Sequence, residues 1–168
     1  WTGGSEPFDD SSWTHGVYVD GKTGGVGYDT ETQYIPWISY NVKSRMLNTS
    51  RYAYIRIPFI ADTAELAGVS FLKLRMRYDD GFVAYLNGQE IARSPGITEN
   101  PWAATSHETT AFEEFSVTQH QGKIKDGQNI LAIFGINATT TSTDFIISAE
   151  LIAGVDNSIP PDVAPTAR

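Results

Sequence analysis

The stretch from Phe71 to Arg93, FLKLRMRYDDGFVAYLNGQEIAR, constrains the fold more than any other part of this chain. In its first run Leu72, Leu74, Met76 and Tyr78 alternate with Lys73, Arg75 and Arg77. That period of two marks a strand with one buried face. Asp79-Asp80-Gly81 supplies a tight reversal, and Asn87-Gly88 a second one. Asn-Gly provides the two positive φ angles that a two-residue type I′ loop requires. Three antiparallel strands joined by tight turns are therefore predicted. Across the Asn87-Gly88 loop, Ala84 is expected to face Ile91, and Tyr85 to face Glu90.

Flanking segments extend the β pattern. Tyr52 to Ile60 places Ala53, Ile55, Ile57 and Phe59 on one face and Tyr54 and Arg56 on the other. Pro58 lacks a ladder donor and puts this strand at a sheet edge or at its own end. Phe112 to Val117 reads as a strand. Asn129 to Ile136 is apolar on both faces, as a central strand requires. Asp144 to Ile152 alternates again and closes the domain. Between these, Gln33 to Asn48 offers Ile35, Ile38, Val42 and Met46 as a helical stripe with Pro36 near its start. Phe8 to Trp13, FDDSSW, reads as a turn feeding a buried Trp13. The run at Gly24 to Asp29, GGVGYD, reads as a glycine-dense loop without the strand-turn-helix setting of a phosphate site. Many short strands and scarcely any helix predict an all-β sandwich of two antiparallel sheets over residues 1–155. A proline-rich linker is expected over 156–168.

Composition narrows the partners. A chain of 168 residues fits one domain able to bury its own core. The formal net charge of −8 and pI near 4.7 oppose nucleic acid and an anionic membrane surface as partners. No apolar run approaches the roughly 18 residues of a membrane span. With no cysteine there is neither disulfide, thiol nucleophile nor thiolate metal site. The abrupt start at Trp1 leads us to expect a monomeric module covalently linked to neighbouring domains in a longer chain.

The segments FDDSSW, GGVGYD, YIRIPF, LRMRYDDGFVAYLNGQEIAR, NILAIFGIN and DFIISAEL follow the order seen in galactose-binding-like jelly-roll domains, which the chain resembles over about Phe8 to Ile152. Such modules are attached to secreted bacterial enzymes and surface proteins, notably in planctomycete-type multidomain chains. The FDDSSW turn is also similar to that of the sugar-binding domain opening many β-galactosidases. The resemblance implies a jelly roll, often a carbohydrate-binding module, secreted or at the cell surface, often with a structural calcium ion. Because that ion usually ties an early loop to the last strand, Asp10 or Asp29 with Glu150 is the implied ligand set. A structural or adhesive spacer without sugar binding is the alternative.

Catalysis is not indicated. Glu113 and Glu114 point to opposite faces of a strand, Asp79 and Asp80 read as turn formers, and no pair suits glycoside hydrolysis. His15, His107 and His120 show no zinc spacing, and no nucleophile elbow is present. Sugar binding requires aromatic faces for the C–H patch of a pyranose and planar polar groups for its hydroxyls. Trp37 stands where the resembled domains carry an aliphatic residue, and Tyr40 could extend its platform. Trp102, with His107 five residues on, occupies the long loop from Ser94 to Thr110. Lys73, Arg75 and Arg77 form an outward basic stripe suited to uronic-acid or sulfated polysaccharide. These seven residues are the expected carbohydrate contacts.

Overall fold

A computed structural model describes residues 1–16, 24–100 and 102–156. Its strands are β1 (Gly25–Asp29), β2 (Ile38–Asn41), β3 (Tyr52–Ala61), β4 (Phe71–Tyr78), β5 (Gly81–Leu86), β6 (Gln89–Arg93), β7 (Thr98–Glu99), β8 (Trp102–Ala103), β9 (Glu113–Ser116), β10 (Gly127–Ile136) and β11 (Asp144–Gly154). One short helix, α1 (Lys43–Met46), and 3-10 turns at Ile35–Trp37 and Thr118–Lys123 complete the described elements. Among the described residues no helix is long and apolar enough to cross a membrane.

The first sheet has the order β2-β1-β11-β4-β9 and the second β3-β10-β5-β6, while β7 and β8 form a small separate hairpin. The chain changes sheet at almost every step, from β3 to β4, β4 to β5, β9 to β10 and β10 to β11. This interleaving is a jelly-roll β-sandwich. Neighbours within each sheet are antiparallel except β1 and β2, which are parallel. The core lies between the sheets. Leu72, Leu74, Met76 and Tyr78 of β4, with Phe145 and Ile147 of β11, meet Phe82, Ala84 and Leu86 of β5 and Leu131 and Ile133 of β10. The alternation read from the first run is the inward set of β4.

Several expectations are met in detail. β3 is an edge strand and carries Pro58, while β10 runs between β3 and β5, covered on both faces. Asn87 and Gly88 have φ of 49° and 89°, the type I′ signature. Tyr85 faces Glu90, but Ala84 faces Ala92 rather than Ile91, because the register shifts between Ala84 and Tyr85. This bulge accommodates one extra residue on β6.

Other expectations are corrected. Asp79-Asp80-Gly81 does not join two strands of one sheet; it hands the chain from the first sheet to the second. A Cβ on Gly81 would come within 2.6 Å of Ile97 and 2.7 Å of Ala104, so only glycine fits this corner. The glycine run is strand β1. A Cβ on Gly27 would stand 2.2 Å from the Phe145 carbonyl and one on Gly25 2.4 Å from that of Trp37, so the glycines serve close backbone approach. The helical stripe from Ile35 to Met46 divides into a 3-10 turn, strand β2 and α1, because β1 offers an edge that captures Ile38–Asn41. Trp13 is half-buried, edge-on to Phe8 at 5.8 Å, and does not reach the core. Of the expected linker, residues 157–168 lie outside those described.

Candidate functional site

The outward face of the first sheet carries the basic stripe, and its charges are engaged. Lys73 Nζ is 2.8 Å from Glu114 on β9, and Arg75 Nη1 is 2.7 Å from Glu150 on β11. Arg75 lies directly opposite Glu150, whereas Lys73, which faces Ser116, reaches Glu114 diagonally along β9. Arg77 is 7% exposed, and its guanidinium lies 4.1 Å from the Trp37 ring centroid and 4.4 Å from that of Phe112. Its Nε donates to the Thr110 carbonyl at 2.9 Å. Burial lowers its pKa, opposed by the charge of Glu150. The face therefore differs from a free cationic stripe: two members are neutralised and the third is sandwiched between rings.

Trp37 spends one ring face on Arg77. Tyr40 cannot extend it into a platform. Tyr40 faces Val26, which faces Ile147, which faces Tyr78, a row that points into the core. His107 is stacked on Tyr78 at 4.5 Å, with Nε2 2.8 Å from Glu113 Oε1, close but not aligned for a hydrogen bond. Trp102 is folded down edge-on to Phe134 at 5.4 Å, and its carbonyl accepts the Tyr52 hydroxyl at 2.9 Å.

Trp102 thereby joins an aromatic assembly on the outward face of the second sheet. Tyr54 of β3 faces Phe134 of β10, which faces Val83 of β5, which faces Arg93 of β6. Tyr54 stacks on Phe134 at 4.9 Å and 20° and is 52% exposed. Trp1 bridges edge-on to Tyr54 at 5.1 Å and to Tyr85 at 5.7 Å. Tyr52 also packs on Phe134, tilted, at 5.4 Å. Arg93 borders the assembly and is held by Glu90 at 2.6 Å and Glu99 at 2.7 Å. Trp1 is kept in place by Arg56, whose guanidinium hydrogen-bonds the Trp1 carbonyl, pairs with Glu6 at 3.0 Å and Asp10 at 3.3 Å, and stacks on Phe8 at 4.8 Å. Sequence reading missed Tyr54, although its place opposite the apolar face of β3 was the available signal. Trp1 carried no pattern, because its role depends on a strap from a distant strand.

The implied calcium ligands are not brought together. Asp10 pairs with Arg56 on the outward side of the second sheet, whereas Glu150 pairs with Arg75 on the outward side of the first. Asp29 accepts the backbone N–H groups of Glu31 at 2.6 Å and Tyr34 at 2.7 Å. A different acidic group forms where β4 ends. One carboxylate oxygen each from Asp79, Glu108 and Asp144 lie within 4.8 Å of one another. Asp79 is 1% exposed, and neither of its oxygens accepts a hydrogen bond among the described residues. The Tyr34 hydroxyl is a neighbouring donor but is not aligned to bond. Burial, followed by the charges of Asp80, Asp144 and Glu108, pushes the Asp79 carboxyl up to about 8. Burial and the charges of Glu108, Asp29 and Asp80 also raise Asp144. Asp80 differs from its neighbour: Oδ1 accepts the His107 N–H at 2.9 Å and Oδ2 the Ala138 N–H at 2.5 Å.

No family model matches the chain, and comparison with curated proteins finds no match. Among solved structures, the chain is similar to a β-D-mannosidase from Dictyoglomus thermophilum, at 19% identity and a TM-score of 0.36, covering 51% of this chain and 9% of that one. It is also similar to Bifidobacterium dentium β-glucuronidase complexed with coumarin-3-O-glucuronide, at 18% identity and a TM-score of 0.40, covering 68% and 18%. The chain thus spans less than a fifth of either enzyme.

Proposed function

We propose that this domain is a non-catalytic carbohydrate-binding module whose glycan lies across the outward face of the second sheet. The observation carrying this reading is Tyr54, 52% exposed and backed by Phe134 at 4.9 Å. A half-exposed ring backed by a stacked partner can meet the C–H patch of a pyranose at little entropic cost, since the side chain is already ordered. Trp1 and Trp102 flank it, and Glu90 and Arg93 offer planar groups for hydroxyls along the border. A sheet face is open at both ends, which suits an extended polysaccharide better than an enclosed small molecule. In this role the domain acts outside a bacterial cell, as a monomeric module holding covalently linked neighbours on their substrate.

Affinity electrophoresis against a panel of neutral and acidic polysaccharides tests the reading. Retardation by at least one glycan is expected. Tyr54→Ala is expected to weaken that binding by about ten- to thirtyfold, while lowering the melting temperature by less than about 3 °C. Migration unchanged by every glycan would favour a spacer instead.

A further inference from the structure

We propose that Asp79, Glu108 and Asp144 bind one calcium ion at the corner where β4 passes to β5. The inference is independent of sugar binding. It rests on an imbalance: the backbone around this corner is satisfied, and the carboxylate at its centre is not. Asp80 accepts N–H groups from His107 and Ala138 and so holds two of the segments that bear the ligands. Asn137 Nδ2 donates to the Asp144 carbonyl at 2.8 Å, fixing the third ligand's main chain. The Asp79 amide donates to the Ile146 carbonyl at 3.0 Å, and Asp79 forms an isolated bridge with Glu108. Both oxygens of the Asp79 side chain, 1% exposed, lack a hydrogen-bond partner among the described residues.

A buried carboxylate without a donor carries a large desolvation cost and calls for a partner. The charges acting on Asp79, from Asp80, Asp144 and Glu108, are all negative, so the missing partner is a cation. Two oxygens on opposite sides of one calcium ion, each at about 2.4 Å, stand about 4.8 Å apart. The three oxygens fall within that spacing. All three ligands are carboxylates, which suits a hard cation rather than zinc. Calcium accepts an irregular site with one exposed member, Glu108, and completes its shell with water, whereas magnesium demands a near-ideal octahedron. The ion would join the β4–β5 corner, the segment before β9 and the start of β11.

The test uses chelator-stripped protein titrated with CaCl2 by calorimetry and by thermal melting. One ion per chain is expected, with a rise in melting temperature of about 5–10 °C at a hundredfold excess over the dissociation constant. Asp79→Asn and Glu108→Gln are each expected to weaken calcium at least about tenfold, because ligand charge sets affinity. Glu108 is exposed, so its variant keeps the test valid should Asp79→Asn fail to fold. Glu150→Gln is expected to leave the titration unchanged. The proposal is overturned by no heat and no melting shift up to about 10 mM calcium. A full response in the Asp79→Asn/Glu108→Gln double variant, or an equal response to MgCl2, overturns it too.

Discussion

Arg77 occupies an outward position of β4 yet is 7% exposed, because Trp37 and Phe112 close over its two faces. A guanidinium tolerates this where an ammonium would not, being planar and weakly hydrated. Trp37→Ala is therefore expected to lower the free energy of unfolding by about 1–3 kcal/mol in urea melts while leaving glycan retardation unchanged. Weaker glycan binding at unaltered stability would return Trp37 to the role that its sequence suggested. The neighbouring pair behaves differently. Hydrogen bonding and charge from Lys73 hold the Glu114 carboxyl below the usual carboxylate range. Its contribution to stability is present above the ordinary carboxylate pKa and is lost as the pH falls through the lowered one. An NMR titration should show Glu114 moving back up in Lys73→Met, and partly so in high salt, because the pair is exposed.

At the scale of elements, the segment before β1 is not a free tail. Arg56 of β3 grips Trp1, Glu6 and Asp10 and covers Phe8, while Gly88 at the hairpin tip donates to the Thr2 carbonyl at 2.8 Å. Arg56→Ala is expected to release residues 1–13, visible as new protease cleavage there with the strands still resistant. It should also weaken glycan binding through loss of Trp1; protection equal to that of the parent chain would refute the strap. This element was not legible beforehand, since a Gly-, Ser- and Asp-rich stretch shows no period and its order comes from elsewhere. β3 was legible because one inward face imposes alternation on it, and β10 because burial on both faces makes it apolar nearly throughout. β1 and β2 were not: β1 is made narrow by Gly25 and Gly27 for close approach, and β2 is a short strand whose apolar spacing also fits a helix.

For the whole molecule, the jelly roll was readable from run lengths and turn residues, the features that local chemistry dictates. The sites were not, because each is assembled across the sandwich. Tyr54 and Trp1 meet through β3 and the opening segment, and Asp79, Glu108 and Asp144 meet at the end of three separate segments. Asp79 and Asp80 are the sharpest instance. Adjacent, identical and both almost fully buried, they read alike as turn formers. Asp80 meets backbone donors, whereas Asp79 meets other acids and an unaligned Tyr34 hydroxyl. One residue's difference in facing sends one aspartate to backbone donors and leaves the other among carboxylates.

The scaffold role of Asp80 has a further consequence. It holds His107 and Ala138 by their main-chain amides, groups present in every residue but proline. Its grip is thus blind to side-chain identity on both loops. Thr105, Ser106 and residues 139–141 can be rewritten while their points of attachment stay where they are, whereas Ser142 hydrogen-bonds the Asp144 carboxylate. A lineage inheriting this corner, or a laboratory library randomised at those positions, has a ready pair of variable fingers mounted on a knuckle that need not change.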